Sequence, residues 1–362
     1  MPLSQTSRRA LLGTPIVLGI AVSWVGSTQF AQSTFSATFD GPFFNMWFST
    51  VWMMACFPVY TAACVLLKGQ SCGQVYRENE SIFGADGLTL RTLLVKAGVF
   101  LLLWAGTNYL YIRALKEIPA TDVTALFSSC NAFVYVFSIL LLRERLYIGR
   151  ILSVLMAMGG IVLIANASGF KGPSLLGVVL SVGAAIGAAL YKVTSDLLFK
   201  RVFGDASVGQ VSLFLSCLGM VDLLGLWPVM LSLYYGQVET MDWYHLPWSY
   251  LCGGAALGLA FNFFINFGIA FTFPLFISLG TVLGIPLNAG VDAVFRGVTF
   301  GPLKAGGAAM VVGGFLLMLA PEEAHRRVCD VMCCVEPTQG ADETERLLPG
   351  RPSVGTSVQK MP

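Results

Sequence analysis

Long apolar stretches, separated by short polar segments, make up most of the chain. Each stretch is long enough to cross the hydrocarbon core of a bilayer as a helix, for which about 18 or more predominantly apolar residues are needed. The pattern therefore predicts an all-α polytopic membrane protein with ten transmembrane helices. These are predicted at residues 10–33, 44–67, 92–114, 119–142, 149–166, 174–199, 208–233, 247–271, 274–295 and 302–320.

The region around Pro119 is repeated later in the chain, at an offset of about 154 residues. The matching positions are Asn108 and Asn262, Pro119 and Pro274, Arg143 and Arg296, and the pairs Gly159-Gly160 and Gly313-Gly314. A repeat this long indicates two half-domains rather than a solenoid. The predicted units are a short N-terminal tail (1–9), a first five-helix repeat (10–166), a second five-helix repeat (174–320) and a disordered C-terminal tail (321–362).

Lys and Arg are distributed unevenly over the segments that join the predicted helices. With the N-terminus in the cytosol, twelve of them lie in cytosolic segments and five in outer ones. Cytosolic loops of membrane proteins carry such an excess, so we expect both termini in the cytosol. Because each half has an odd number of helices, the second half is inserted upside down. Inverted repeats of this kind are typical of secondary transporters.

The composition agrees with a membrane protein: 56% of the residues are hydrophobic and 12% are charged, against about 25% charged residues in soluble domains. The nine cysteines and two histidines show no metal-ligand spacing, so no metal or cofactor is expected. No P-loop, H-E-x-x-H or G-x-S-x-G motif is present. We expect a non-enzyme whose partners are a small-molecule substrate and the lipid bilayer, with no nucleic acid.

Polar side chains recur along one face of the fourth predicted helix. Their spacing alternates between three and four residues, which keeps them on one helical face; they are Thr121, Thr124, Ser128, Asn131 and Tyr135. The ninth helix carries a related set, Thr281, Asn288 and Asp292. Such stripes either wall a polar cavity or hydrogen-bond neighbouring helices to one another. Because the stripe is long and occurs in both halves, we favour a central substrate cavity.

Amide side chains lie at related places in the two halves, Asn108 in the third helix and Asn262 and Asn266 in the eighth. An amide both donates and accepts hydrogen bonds, which suits a polar organic substrate. Hydrogen bonding between helices is the alternative for each of them.

Asp222, Lys192 and Trp24 complete the candidate cavity residues. Asp222 lies near the middle of the seventh helix, where an ionisable side chain is costly and by default functional; it is a site for a cation or a coupling proton, or a protonated packing residue. Lys192 is either a substrate anchor or the ion-pair partner of Asp196. Trp24 offers an aromatic face, and aromatic faces with a buried carboxylate favour an organic cation.

The chain also resembles a known family over about residues 15–323. The matching stretches are SWVGSTQFA (23–31), FGADGLTL (83–90), TNYLYIRALKEIPATDV (107–123), ALYKV (189–193), NFGIAFTFPLFISLGTVLGIPLNA (266–289) and APEE (320–323). They are similar to the F subfamily of solute carrier family 35, in the drug/metabolite transporter superfamily. The resemblance implies a multi-pass solute transporter, with thiamine as the proposed substrate, and assigns no site residues.

Two other functions remain open at this point. Sister branches of the family suggest a nucleotide-sugar or nucleotide antiporter of the secretory pathway. A diphosphate substrate would require several basic side chains in the cavity, and only Lys192 and Arg296 are candidates. A non-transporting membrane scaffold or receptor is the alternative from another class.

Interaction and sorting signals lie mainly near the C-terminus. The glycine pairs of the fifth and tenth helices predict close packing at the periphery or in a homodimer. Glu343, Leu347 and Leu348 form an acidic dileucine pattern that adaptor proteins read, and three cysteines at 329, 333 and 334 are candidates for palmitoylation. We expect the plasma membrane or endosomal and Golgi membranes as the location.

Overall fold

The computed structural model describes residues 5–84, 87–142, 148–168, 173–195, 207–271, 274–298 and 301–318. The candidate signals of the C-terminal tail, Glu343, Leu347, Leu348 and the three cysteines, lie outside these ranges, and so do Arg143 and Asp196. Helices account for nearly all of the described structure.

The first half of the chain forms helices that are interrupted by tighter or wider turns. They are α1 (Gln5–Ser33), α2 (Pro42–Val51), a 3₁₀ segment (Trp52–Ala55), α3 (Cys56–Lys68), α4 (Cys72–Asn79), a second 3₁₀ segment (Glu80–Phe83), α5 (Leu90–Thr92), a π segment (Leu93–Ala97), α6 (Gly98–Glu117), α7 (Ala120–Phe127), α8 (Cys130–Phe137), a second π segment (Ser138–Leu142) and α9 (Ile148–Ser168).

The second half has fewer interruptions. Its helices are α10 (Pro173–Ser195), α11 (Val208–Gly225), α12 (Trp227–Tyr235), α13 (Trp248–Phe271), α14 (Pro274–Arg296) and α15 (Pro302–Met318). Two short strands, β1 (Phe39–Asp40) and β2 (Thr240–Met241), pair antiparallel and join the loop before α2 to the loop before α13.

Helical residues lie at each of the ten predicted segments. Within the described residues, seven helical stretches are long and apolar enough to cross a membrane by length and composition, and α15 is a shorter apolar helix. The prediction of a helical, multi-pass membrane protein is confirmed. The count of ten spans and their arrangement as inverted repeats stay predictions.

Prolines and small polar residues set several helix ends. Pro119 lacks an amide hydrogen and restricts the residue before it, so Ile118 is extended (φ −137°, ψ 159°) and α6 ends there. Ser71 and Ser207 accept backbone N–H groups at the starts of α4 and α11, which satisfies amides that have no partner inside the helix. Gly69 ends α3 in the left-handed region, at φ 66°.

Helices α9 and α15 pack against each other through glycine. A Cβ on Gly160 would lie 2.5 Å from the carbonyl oxygen of Gly307, and one on Gly307 would lie 2.8 Å from that of Gly160. A Cβ on Gly314 would lie 2.7 Å from the carbonyl oxygen of Ser153. Small residues allow such close helix contacts. The glycines of the fifth and tenth predicted helices therefore join these helices within one chain, and the homodimer stays a prediction.

The buried apolar side chains form two main clusters. One lies among α6, α7, α9 and α10 and includes Leu115, Leu126 and Ile164. The other lies around α11 and includes Phe100 and Leu218. The polar groups described next lie between the helices that surround these two clusters.

Candidate functional site

A buried hydrogen-bond network joins α1, α7 and α14. The backbone N–H and the hydroxyl of Thr121 donate to Oδ2 of Asp292 at 2.9 and 2.6 Å. The amide of Gln29 donates to Oδ1 of Asn288 at 3.0 Å and to Oδ1 of Asp292 at 2.9 Å. Asn288 in turn donates to the hydroxyl of Thr124 at 2.9 Å. Every member therefore has a partner on another helix.

Arg296 extends this network at the end of α14. Its Nε donates to Oε1 of Gln29 at 3.2 Å and lies 3.6 Å from Oδ1 of Asp292. A terminal nitrogen of its guanidinium donates to the hydroxyl of Ser33 at 2.9 Å. The charge of Asp292 is thus balanced within the network, as a buried carboxylate requires.

At part of their length the two polar stripes bond to each other and to α1. Four of their side chains are at most 1% exposed and take part in the network, namely Thr121, Thr124, Asn288 and Asp292. They bind α7 to α14, because each polar group buried away from water needs a hydrogen-bond partner. At these four positions the polar side chains hydrogen-bond neighbouring helices to one another, which was the alternative to a cavity wall.

The remaining stripe residues lie elsewhere. Ser128 donates to a carbonyl one turn earlier in its own helix at 2.8 Å. Asn131 accepts a hydrogen bond from Lys192 at 3.3 Å, so Lys192 is bonded to the stripe of the first half. Tyr135 is buried, with the guanidinium of Arg150 at 5.5 Å from its ring centroid. The void beside Ser128 and Asn131 measures about 10 Å³, room for about one water molecule.

A larger cavity lies among α1, α2, α6 and α13 and measures about 100 Å³. Three predicted site residues line it, Trp24, Asn108 and Asn262. The other lining residues are Ser27, Thr28, Ala31, Asn45, Met46, Ser49, Thr50, Met53, Trp104, Tyr111, Ile112, Gly254, Gly258 and Phe261. None of these lining residues is charged. Polar groups and aromatic rings therefore share the wall.

Aromatic rings form one side of the cavity. The ring of Trp24 lies 5.4 Å from that of Tyr111, 5.8 Å from that of Phe127 and 4.8 Å from that of Phe261, between centroids. Such distances are typical of interacting aromatic pairs. The indole of Trp104 donates to the hydroxyl of Thr50 at 3.2 Å, which ties α6 to α2.

Asn108 and Asn262, which the sequence repeat pairs, both reach the cavity. Each donates one amide hydrogen to a backbone carbonyl one turn earlier, Trp104 at 2.8 Å and Gly258 at 2.9 Å. Within the described ranges, neither amide oxygen accepts a hydrogen bond. An amide has one more donor and two acceptor positions, so both can bind a polar solute.

The other predicted residues do not line this cavity. Asp222 is fully buried in α11 and is not a lining residue, and neither of its oxygens has a hydrogen-bond partner among the described residues. Thr281 is half-buried in α14. The side chain of Asn266 lies outside the described residues.

Sequence reasoning missed Gln29, Asn45 and Thr50. Gln29 contacts both Asn288 and Asp292, and the other two line the cavity. A signal was present for the first of them, since Ser27, Thr28 and Gln29 are consecutive polar residues inside an apolar span. The polar stripes of the fourth and ninth predicted helices are longer and form the stronger pattern.

Comparison with known proteins identifies the family. The chain is 42% identical over 319 residues to mouse solute carrier family 35 member F3, covering 87% of this chain and 75% of that protein. It is also 42% identical over 318 residues to mouse solute carrier family 35 member F4, covering 87% of this chain and 64% of that protein. The chain belongs to the F subfamily of solute carrier family 35. The resemblance inferred from its motifs is confirmed.

Two further matches agree with this assignment. The EamA-like transporter family matches residues 11–166. A crystal structure of a protein 18% identical in sequence aligns with a TM-score of 0.51 over 86% of this chain and 97% of that chain, which speaks for the fold alone. Solute carriers are transporters rather than enzymes, and the family assignment places this chain in that class of membrane proteins.

Proposed function

We propose that this family 35 carrier moves a small organic cation across a membrane by alternating access, with thiamine as the first substrate to test. The proposal rests on the cavity among α1, α2, α6 and α13, which combines aromatic rings with amide and hydroxyl groups and has no charged lining residue.

Ring faces and amide oxygens are the groups that suit such a solute. A cation over an aromatic face gains roughly 0.5–2 kcal/mol, and Trp24, Trp104 and Tyr111 supply such faces. Amide oxygens of Asn108 and Asn262 can accept hydrogen bonds from an amino group of the solute. An aminopyrimidine joined to a cationic ring, as in thiamine, matches both kinds of group.

The size of the cavity supports a mechanism in which the surrounding helices move apart. Its volume of about 100 Å³ is below the range of roughly 300–1,000 Å³ that pockets for drug-sized ligands occupy. A solute of the size of thiamine therefore requires the surrounding helices to separate. The network of Gln29, Asn288, Asp292 and Thr121 joins α1, α7 and α14, and we infer that it opens during the transport cycle.

The helix contacts agree with two inverted repeats of five helices. If the halves are related by symmetry, the first, third and fourth predicted helices correspond to the sixth, eighth and ninth. Contact of α1 with α13 then corresponds to contact of α10 with α6, and contact of α1 with α14 to that of α10 with α7 and α8. All of these pairs pack together. This supports the architecture typical of secondary transporters. The excess of Lys and Arg in the segments predicted to be cytosolic supports cytosolic termini.

A nucleotide-sugar substrate fits the site less well. Its diphosphate would need basic side chains in the cavity, because anions are bound by Arg and Lys. Arg296 is engaged with Gln29, Ser33 and Asp292, and Lys192 is bonded to Asn131. Neither lines the cavity.

Uptake into proteoliposomes tests the proposal. The purified full chain is reconstituted, and entry of radiolabelled thiamine, choline and two nucleotide sugars is measured against protein-free vesicles. We expect saturable thiamine uptake that other thiazolium or quaternary cations inhibit and nucleotide sugars do not. Uptake of the nucleotide sugars in place of thiamine would reject the cation-carrier function.

A further inference from the structure

Asp222 was predicted from the sequence as a cavity residue, and neither of its carboxyl oxygens forms a hydrogen bond with a described residue. It is 0% exposed, and neither Oδ1 nor Oδ2 has a partner within the described part of the chain. A buried carboxyl group without a donor or a cation is costly, and an ionisable group inside a membrane span is functional by default. The packing around Asp222 does not explain why a carboxyl group occupies this position.

The helix of Asp222 is fixed to an irregular segment of the second span. The hydroxyl of Ser216 accepts the N–H of Phe57 at 2.7 Å and donates to the carbonyl of Met54 at 3.0 Å, next to the 3₁₀ segment that follows α2. A Cβ on Gly219 would lie 2.9 Å from the backbone nitrogen of Met54. Helix α11 therefore lies directly against this segment.

That segment and the end of α2 form a wall of the substrate cavity. Thr50 and Met53 line the cavity, and the carbonyl oxygen of Thr50 would lie 3.0 Å from a Cβ on Gly219. On the cavity side, the hydroxyl of Thr50 accepts a hydrogen bond from Trp104. A change in how α11 packs on α2 is thus transmitted to residues that line the cavity.

We propose that Asp222 is the proton-binding site of this carrier, a carboxyl group that takes up and releases one proton in each transport cycle. The proposal rests on the transport function proposed above and adds the coupling ion. In the packed state one oxygen of Asp222 carries the proton and the group is neutral. When α11 and α2 separate and water enters, the O–H bond breaks, the proton passes to water and the carboxylate is hydrated.

A proton fits this site better than a metal ion or the organic cation. Cations such as Ca²⁺ and Mg²⁺ need about six or more oxygen ligands, and the described residues contain no group of three or more His, Cys, Asp or Glu that could hold a metal ion. The organic cation would have to reach a carboxyl group that does not line the cavity. A proton requires only one oxygen.

No described charged group neutralises Asp222. Lys96, on the π segment that α11 packs against, donates to the carbonyl of Phe83 at 2.9 Å. Glu239, in the loop before β2, accepts the N–H of Phe43 at the start of α2, at 2.7 Å. None of the other titratable groups on the elements that pack against α11 gives Asp222 a hydrogen bond. They include the charged side chains Lys68, Arg77, Glu78, Glu80, Arg113, Lys116 and Glu117 and the thiols and phenols Cys56, Cys64, Cys217, Tyr60, Tyr76, Tyr109 and Tyr111.

Two measurements on the purified full chain test the proposal. The first is the infrared absorption of protonated carboxyl groups, in which we expect the wild type to show a component that Asp222→Asn lacks, separate from any component of Glu239. The second is thiamine uptake into proteoliposomes with and without an imposed pH gradient. We expect the gradient to change the wild-type rate several-fold, the Asn variant to lose that response, and Asp222→Glu to keep it. Asp242→Asn, in an exposed loop, is the matched control and should behave as the wild type.

The possible outcomes separate this proposal from the proposed function. Thiamine uptake that ignores the pH gradient would overturn proton coupling and leave the carrier function standing. An unchanged infrared band in Asp222→Asn would overturn Asp222 as the site. If the wild type takes up no thiamine, the proposed function fails, and the infrared band alone decides on the proton site. If Asp222→Asn does not fold, a shifted pH profile of uptake in Asp222→Glu replaces it.

Discussion

The hydroxyl of Thr121 donates a hydrogen bond of 2.6 Å to the carboxylate of Asp292, although the two residues are 171 positions apart in the chain. The backbone N–H of Thr121 binds the same oxygen at 2.9 Å. Thr121 begins the helix that follows Pro119, where N–H groups lack partners inside the helix. Asp292 therefore acts on α7 as a cap supplied by the other half of the protein.

Removing the Thr121 hydroxyl tests the strength of this link. Thr121→Val keeps the shape of the side chain and removes a hydrogen bond to a charged acceptor, which contributes about 1.5–3 kcal/mol. We expect a lower melting temperature of the purified protein in detergent. Thr61→Val is the matched control, because the buried hydroxyl of Thr61 has no hydrogen-bond partner in the described structure. Equal melting temperatures for the two variants would contradict the link.

The contact between α9 and α15 can be tested by comparing two adjacent glycines of α15, Gly306 and Gly307. A Cβ on Gly307 would lie 2.8 Å from the carbonyl oxygen of Gly160, whereas one on Gly306 would meet nothing within 4 Å. Gly307→Ala should destabilise the protein by about 1–3 kcal/mol through overpacking. Gly306→Ala should be neutral or stabilising by up to about 1 kcal/mol, since Ala is the better helix former. Thermal unfolding in detergent measures both, and a reversed order would reject the packing of the two helices.

The sequence predicted the helices well because apolar length alone decides whether a segment can cross a bilayer. It also related Asn108 to Asn262, and both line the cavity. It did not predict the irregular segment Trp52–Ala55. No proline or glycine lies there, and the partner that satisfies its carbonyl groups, Ser216, comes from a helix far along the chain.

The polar stripes show what a sequence pattern can and cannot predict about a site. A spacing of three and four residues tells which side chains share a helical face, but not which helix packs against that face. Thr121 and Asp292 were both found, while Gln29, which bonds Asp292 and Asn288, was not among the candidates. Its role depends on the packing of α1 against α14, which no local pattern specifies.

Glu239 gives a prediction about pH, and it lies outside the membrane spans. It is 2% exposed and accepts the N–H groups of Phe43 and Phe44 at the start of α2. Burial raises the pKa of its carboxyl group from 4.5 to about 7, helped by Asp40, while the two N–H groups and Arg113 oppose the rise. Between pH 4.5 and 7 the folded loop therefore holds a proton that a detached loop would not hold.

The sign follows from this difference in bound protons. Because the folded form binds more protons, its stability falls as pH rises from about 4.5 to 7. We expect this group to lower the melting temperature of the wild type as the pH rises through this window. The slope corresponds to the loss of at most one bound proton. In Glu239→Gln, which cannot ionise, this part of the decrease should vanish, and Asp242→Asn serves as the exposed control. An identical pH profile for wild type and Glu239→Gln would show that Glu239 does not titrate there.

Trp24 carries the most specific prediction for the proposed substrate. Its ring lines the cavity between Tyr111 and Phe261, and loss of a cation–π contact of roughly 0.5–2 kcal/mol corresponds to an affinity lower by about 2- to 30-fold. Trp24→Leu should raise the KM of thiamine uptake in proteoliposomes by this factor, and Trp24→Phe, which keeps an aromatic face, by less. Trp227→Leu, at a half-exposed tryptophan away from the cavity, should leave KM unchanged. If all three variants retain the wild-type KM at equal amounts of folded protein, Trp24 does not contact the solute.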